Sequence, residues 1–411
     1  MKHSIMILDM SFILSVFNDR KLDEALRSRK LNGFFSSVIS VHPLAGLFYQ
    51  GLDKFGAPRI SLVDKEHIFI EGKIGVSKFL SWLPFLNLLL AQIHLFCILL
   101  RTAKTMKVEI IRIGDPYYLG IMGLLLSWFL KVPLVIRACF NYDLIYTTTK
   151  KPVFPRLFRF RVIEKFVERF VFPHCDIIAG ANKNNLDYAI ENGAPADRGV
   201  VFRYGNLIHP IHFSSPKKRG SVLKIYRDLR ISEPFLMTIS RLEKMKQPED
   251  NLFVLRKLHD AGKKVFFIFV GDGSLRDELK ILSEELGLSN YVRFAGNRDQ
   301  VWIAKILPHA EIVLSPHMGR GLTEACLAGA PIVAYNYDWQ EEIIISGETG
   351  ELVTNGNWNE MAIKALSLYE NPKRRKKLGR YARKIAMEMM NPEKLNDYEI
   401  KVYNKLLKKK F

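Results

Sequence analysis

The sequence predicts an α/β protein of two domains, each built on a parallel sheet with helices on both faces. Three observations carry that expectation. Short β-rich runs alternate with amphipathic helical runs across residues 235–370, the pattern of strand–helix–strand crossovers. The strand candidates are continuously apolar rather than alternating, as strands covered on both faces must be. A chain of 411 residues has the length of two ordinary domains, each able to bury a core.

In the C-terminal half the strands are expected at Phe235–Ile239, Val265–Val270, Val292–Ala295, Ile312–Ser315 and Ile332–Tyr335. Helices are expected at Glu249–Ala261, Leu275–Leu286, Gln300–His309, Leu322–Ala328 and Met361–Glu370. Leu275, Leu279, Leu282 and Leu286 recur at helical spacing and form one buried stripe. The N-terminal half is less regular, with strand candidates at Ile5–Leu8, Val38–Val41, Ile110–Ile113, Leu134–Arg137, Ile177–Ala179 and Val200–Arg203. Gly205–Gly220 is rich in Gly, Pro, Ser and Lys and reads as a linker. The first domain is therefore expected over 1–212 and the second over 213–390, with a cleft between them and a terminal helix over 391–411.

Lys and Arg number 61 against 42 Asp and Glu, a net charge of +19. The excess is spread over both halves. It favours an anionic partner: a phosphate-bearing substrate, an anionic lipid surface or a nucleic acid. No nucleic-acid-binding motif accompanies it, so nucleic acid is not expected. In Lys150–Arg169 the cations Lys150, Lys151, Arg156, Arg159, Arg161, Lys165 and Arg169 are interleaved with Phe154, Phe158, Phe160, Val162 and Phe166. This is either a basic amphipathic segment for a membrane surface or a solvated helix face held to the core by its aromatics. Phe79–Leu100 carries no acid or base apart from His94. It is long enough to cross a bilayer, and a core helix, an in-plane membrane helix and a span all remain open. Leu119–Leu130 is a core helix or a second membrane-facing one. A mean hydropathy of +0.01 excludes a many-span transporter. Residues 4–17 faintly resemble a secretion signal, but Asp9 interrupts the run and no small-residue cleavage site follows, so a buried first strand is expected. Cys97, Cys139, Cys175 and Cys326 form no CxxC pair, which points to buried, reduced thiols in a cytosolic protein and not to a metal knuckle.

Parallel α/β sheets bind ligands beyond the carboxyl ends of their strands, so candidate residues are sought there. After Phe235–Ile239 come Arg241, Lys244 and Lys246, cations able to neutralise a diphosphate. After Val265–Val270 comes Gly271-Asp272-Gly273-Ser274, either an ordinary turn or glycines that permit close backbone approach, with a serine able to cap the next helix. Pro316-His317-Met318-Gly319-Arg320-Gly321-Leu322-Thr323-Glu324 follows Ile312–Ser315. This glycine-rich turn opens a helix, a ready anion site, and Glu324 in its first turn suits a ribose diol. After Ile332–Tyr335 comes Asn336-Tyr337-Asp338-Trp339-Gln340, either a sugar-recognition loop or a helix start capped by Asp338. No metal-ligand spacing, GxSxG, HExxH or Walker loop occurs.

Taken in order, SRLEKMKQPE, FVGDGSLRDEL, VRFAGN, AEIVLSPHMGRGLTEACLAGAPIVAY and GETGELV resemble the nucleotide-binding domain of retaining glycosyltransferases of family 4 over Phe235–Glu370. Upstream, CDIIAGANKNNLDYAIENGAP and VVFRYGNLIHPIHF resemble the last strand and helix of that family's N-terminal domain, and residues 1–110 match in outline. The resemblance implies the GT-B fold: two Rossmann-like domains facing a central cleft, with a last helix crossing back to the N-terminal domain. It implies a UDP- or GDP-linked sugar as donor and no required cofactor or metal. Arg241 and Lys246 match the family's phosphate-binding cations and Glu324 its ribose-binding glutamate. Gly319, Arg320, Gly321, Leu322 and Thr323 fall in the turn facing the phosphates, with Gly271 and Gly273 beside it. Asn297 lies near the base, and Gly205 and Asn206 lie where the linker passes the donor. The acceptor would attack from the leaving-group face, a donor phosphate oxygen taking its proton.

Three differences from the family pattern stand out. Its first glutamate falls here on Pro316, or on Met318 with a two-residue deletion. Asp9-Met10-Ser11-Phe12 replaces a glycine pair after the first strand, and Ala138–Asp143 lacks the usual histidine. Asn141 and Asp143 are the candidates there for acceptor or donor-sugar contacts, grouped with Arg241 and Lys246 as catalytic. The expected function is transfer of a sugar to a lipid-linked or surface-glycan acceptor at the cytoplasmic face of an anionic membrane. The alternatives are a non-catalytic nucleotide-sugar-binding protein of the same fold and a nucleotide-sugar epimerase.

Overall fold

A computed structural model of the chain describes residues 3–19, 23–48, 53–154, 157–216, 221–232, 234–316 and 319–408. The chain divides into two compact units, residues 1–207 with 392–411 and residues 208–391. The break falls earlier than the expected 212/213 because residues 208–216 are tied to the second unit. His212 is fully buried, and its Nε2 lies 2.8 Å from Gln300 Oε1. Arg383 donates to the carbonyl oxygens of Phe213 at 3.3 Å and Ser214 at 2.9 Å. Residues 217–220 of the linker lie outside the described residues.

The first unit carries β1 (His3–Leu8), β2 (Phe35–His42), β3 (Arg59–Asp64), β4 (His67–Glu71), β5 (Ile110–Ile113), β6 (Leu134–Ala138), β7 (Ile177–Gly180) and β8 (Gly199–Val201). Their order is β3-β4-β2-β1-β5-β6-β7-β8. All neighbours are parallel except β3 and β4. Alternation along β1 sends Met6 and Leu8 to one face and Ile5 and Ile7 to the other. The first face is covered by the helices Pro84–Thr105, Tyr118–Leu130 and Arg161–Val171. The second is covered by the terminal helix Pro392–Lys408, whose Tyr403 is fully buried against Phe35 at 5.3 Å between ring centroids and Phe202 at 5.8 Å.

The second unit carries β9 (Phe235–Ile239), β10 (Phe266–Val270), β11 (Val292–Gly296), β12 (Ile312–Ser315), β13 (Ile332–Asn336) and β14 (Glu351–Thr354). Their order is β11-β10-β9-β12-β13-β14, all parallel. The chain runs outward from β9 through β10 to β11, then returns to the other side of β9 at β12. That reversal is the topological switch point, where open parallel sheets take their ligands.

The helix Pro84–Thr105 is not enclosed in the core. Asn87, Ala91, Gln92, Leu95, Leu99 and Ala103 form one buried stripe. Polar side chains within the stripe pin it: Asn87 Oδ1 accepts from Val76 N at 2.7 Å, and Gln92 Nε2 donates to Lys73 O at 2.7 Å. By length and composition the helix is apolar enough to cross a membrane, yet only 28% of its most apolar window is buried. It lies along the sheet with an outward apolar face. Cys175 and Cys326 are buried as expected, but Cys97 is exposed on that outward face and Cys139 is half-buried.

Candidate active site

The loops after β9 and β12 flank the switch point of the second unit. Arg241 is exposed immediately after β9, and the short 3-10 turn Lys244–Lys246 follows. Lys246 is half-buried. Burial first, and the charge of Arg241 second, push its ammonium down to about 8, while Asp338 pulls the other way. The protein therefore concentrates positive charge here at a cost in desolvation.

Of the two readings of the loop after β13, a sugar-recognition loop or a helix start capped by Asp338, the cap is the one that fails. The short helix Gln340–Glu342 begins after Trp339 with no side-chain cap, and the Asp338 carboxylate bears on Lys246. The sequence places the loop beside the site but does not show this pairing, because an acid before a helix ordinarily signals a cap.

Across the switch point, the helix Arg320–Ala328 opens at Gly319. Its first turn presents the positive dipole end of any helix start. Glu324 is buried, with its Oε1 3.2 Å from Arg320 Nε. Gln300 also hydrogen-bonds its carboxylate, and burial nevertheless raises its pKa. The chain His212–Gln300–Glu324–Arg320 thus holds one carboxylate in a fixed position. Thr323 is buried, and Leu322 is a core side chain whose N–H already donates to Gly319 O at 3.1 Å. Gly321 is buried in the same turn. Pro316 is buried directly after β12, so no acid occupies that position; His317 and Met318 lie outside the described residues.

Gly271 and Gly273 have another explanation than close ligand approach. A Cβ on Gly271 would lie 1.9 Å from Ser240 O, and one on Gly273 2.4 Å from Leu242 O. The loop after β10 packs directly on the loop after β9, tied by Leu242 N to Asp272 O at 3.1 Å and Leu275 N to Leu242 O at 3.0 Å. Ser274 does not cap the following helix. Its Oγ donates to Glu243 Oε2 at 2.7 Å, which clamps the segment carrying Arg241 and Lys246. Asn297 is exposed just past β11, at the sheet edge.

The remaining candidates lie in the first unit. Asn141 caps the helix Tyr142–Thr149, its Oδ1 accepting from Leu144 N at 3.0 Å, and donates to Asn184 Oδ1 at 2.7 Å. Asp143 accepts from Arg161 at 2.8 Å and from Asn192 at 3.1 Å and pairs with Lys165. Although partial burial opposes it, these partners hold its carboxyl below the usual range. Both side chains are spent on local structure. Asn206 donates to Asn396 Oδ1 at 3.1 Å, tying the chain to the terminal helix, and Gly205 is buried beside it.

Residues 226–385 match the family model described as Glycosyl transferases group 1. An uncharacterized glycosyltransferase of Methanocaldococcus jannaschii is 26% identical over 257 residues, covering 60% of this chain and 62% of that protein. The alignment thus spans less than two thirds of that relative's length. The Campylobacter jejuni N-acetylgalactosamine-N,N'-diacetylbacillosaminyl-diphospho-undecaprenol 4-alpha-N-acetylgalactosaminyltransferase is 24% identical over 271 residues, 65% of this chain and 68% of that one. In fold, the chain is similar to Anabaena Alr3699/HepE crystallised with UDP and glucose, with a TM-score of 0.70 and 19% identity over 98% of this chain and 100% of that one.

Proposed function

We propose that this chain, which has the GT-B fold and matches the group 1 glycosyl transferase model over residues 226–385, is a glycosyltransferase that moves a sugar from a UDP- or GDP-linked donor to a lipid-linked or surface-glycan acceptor. The transfer retains anomeric configuration, requires no metal, and takes place at the cytoplasmic face of a membrane. The observation that carries this reading is the switch point of the second unit: Arg241 and Lys246 on one side, the first turn of Arg320–Ala328 on the other, and Glu324 fixed beside it. Breaking the bond from the anomeric carbon to phosphate leaves an electron pair on the diphosphate. Preplaced cations and helix N–H groups are worth most where such charge develops. The acceptor hydroxyl forms the new bond on the leaving-group face, and its proton passes to a phosphate oxygen of the departing diphosphate. Glu324 serves the ribose diol. Support for the acceptor class comes from the Campylobacter relative, named for a diphospho-undecaprenol acceptor, and from the net charge of +19.

Thermal denaturation with UDP, GDP, ADP and their sugar conjugates, in metal-free buffer, tests the donor site. A ligand at a hundred times its dissociation constant is expected to add about 2.7 kcal/mol of stability. Glu324→Ala is expected to weaken that binding by about 1–3 kcal/mol, the effect of losing a buried hydrogen-bond partner. No shift with any nucleotide would overturn the reading.

The Lys246 ammonium gives a pH signature. Its pKa lies at about 8 in the folded chain against 10.5 ordinarily, so it is charged below that value and neutral above it. Affinity for UDP is expected to fall as pH rises through about 8. A bound diphosphate restores the charge, so binding takes up a proton in that range. Calorimetric titration at pH values on either side of about 8 checks this, and Lys246→Arg is expected to flatten the dependence.

A further inference from the structure

The helix Arg161–Val171 buries three of its five charged residues and exposes most of its large apolar ones. Lys165 is half-buried and Arg169 exposed, while Arg161, Glu164 and Glu168 are buried, both glutamates at 0% exposure. They form one network in which Arg161 Nη1 donates to Tyr117 Oη at 2.8 Å and reaches Glu164 at 3.0 Å and Glu168 at 2.6 Å. Val167 and Val171 pack on the core, but the helix's other apolar residues point outward: Val162 is 79% and Phe166 71% exposed, and Ile163 and Phe170 are also exposed. The buried charges are paired, but exposing this many large apolar side chains together is unfavourable in water and marks an interaction surface.

The surface continues across the neighbouring helices. Phe170 and Trp128 both pack on His174, at 5.5 and 5.7 Å. Phe129 stacks edge-on to Phe96 at 5.7 Å, joining Tyr118–Leu130 to Pro84–Thr105. There Phe85, Leu89 and Ile93 are exposed, as are Phe79 and Trp82 just before the helix. The charge pattern identifies the occupant. Pro84–Thr105 and Tyr118–Leu130 contain no acid, and the two glutamates of Arg161–Val171 are turned inward. The charges left at the margins are cationic: Lys78, Arg101, Lys104, Lys131, Arg159 and Arg169 are exposed.

We infer that these three helices form one docking face for an anionic lipid bilayer, lying in the membrane plane with Val162, Phe166, Trp128, Phe85 and Trp82 in the acyl boundary and the cations among the headgroups. The inference deepens the proposed membrane setting of the transferase and names its surface. The stripe of Pro84–Thr105 held by Asn87 and Gln92 keeps that helix on its sheet, so it floats rather than spans.

Sedimentation with phosphatidylcholine vesicles, alone or with roughly a third phosphatidylglycerol, tests it. The chain is expected to pellet with the anionic vesicles. Paired Val162→Glu and Phe166→Glu substitutions, at solvent-facing positions that leave the buried network intact, are expected to cut binding about tenfold or more. Brominated acyl chains are expected to quench Trp82 and Trp128 fluorescence. Unchanged binding by the paired variant, absence of quenching, or a wild-type dimer that the paired variant abolishes would each overturn the proposal. Failure of the transferase reading shows separately, as loss of the UDP-induced thermal shift with vesicle binding intact.

Discussion

Lys246→Ala is expected to lower sugar transfer by about two to three orders of magnitude, the usual cost of removing a group aimed at charge developing in the transition state. The fold should be unharmed. Burial and the nearby Arg241 already disfavour the Lys246 charge, and Asp338 only partly compensates. A lysine whose folded pKa is depressed reduces stability while charged, below about 8, and the penalty is relieved as pH rises toward 10.5. The alanine variant is therefore expected to unfold at the same temperature as wild type near neutral pH, or somewhat higher. Steady-state kinetics beside thermal denaturation separates the two effects. A variant that loses stability in proportion to activity would make Lys246 a structural residue.

Arg161→Ala is expected to be the opposite case, with a loss of about 3–5 kcal/mol in folding stability, as found when one partner of a buried ion pair is removed. Truncation leaves the fully buried Glu164 without its counter-charge, leaves Glu168 with only Lys165 at 3.5 Å, and removes the donor to Tyr117 Oη. Asp143 also loses its 2.8 Å partner. Arg161→Lys is not expected to rescue it, because a point-charge ammonium cannot make the forked contacts to several partners. Urea denaturation measures the loss. A cost below about 1 kcal/mol, typical of an exposed ion pair, would show that the network does not hold this helix in its orientation.

The parallel strands were the most legible part of the chain. β9 and β12 fall where the continuous apolar runs Phe235–Ile239 and Ile312–Ser315 place them, because strands covered on both faces have no other composition available. β3 and β4 were not legible. Arg59–Asp64 is an exposed antiparallel edge strand with charged ends, so its composition resembles a loop. β14 is short and begins on a glutamate. The orientation of Arg161–Val171 was hidden for a different reason. Its charged and apolar stripes have the same helical spacing, and periodicity does not say which faces inward.

At the site, the sequence located the loops better than it explained their residues. Arg241, Lys246 and Glu324 lie at the carboxyl end of the second sheet, as strand order requires. Gly271 and Gly273 read in the sequence either as room for a ligand or as an ordinary turn, and what they accommodate in the fold is the backbone of Ser240 and Leu242. Asn141 and Asp143 were suggested by position after a strand. Their hydrogen bonds go to Leu144, Asn184, Arg161 and Asn192, partners that only the folded chain reveals.

The most direct measurement supplies radiolabelled UDP- and GDP-sugars to the wild-type chain and to Lys246→Ala, with a bacterial lipid extract as the acceptor source, and follows label into the organic phase. Wild type is expected to move label from one donor into lipid, and the variant almost none. Equal transfer by both would contradict the role of Lys246. Nucleotide binding by wild type with no label leaving the donor would contradict the transferase itself and leave a nucleotide-sugar-binding protein.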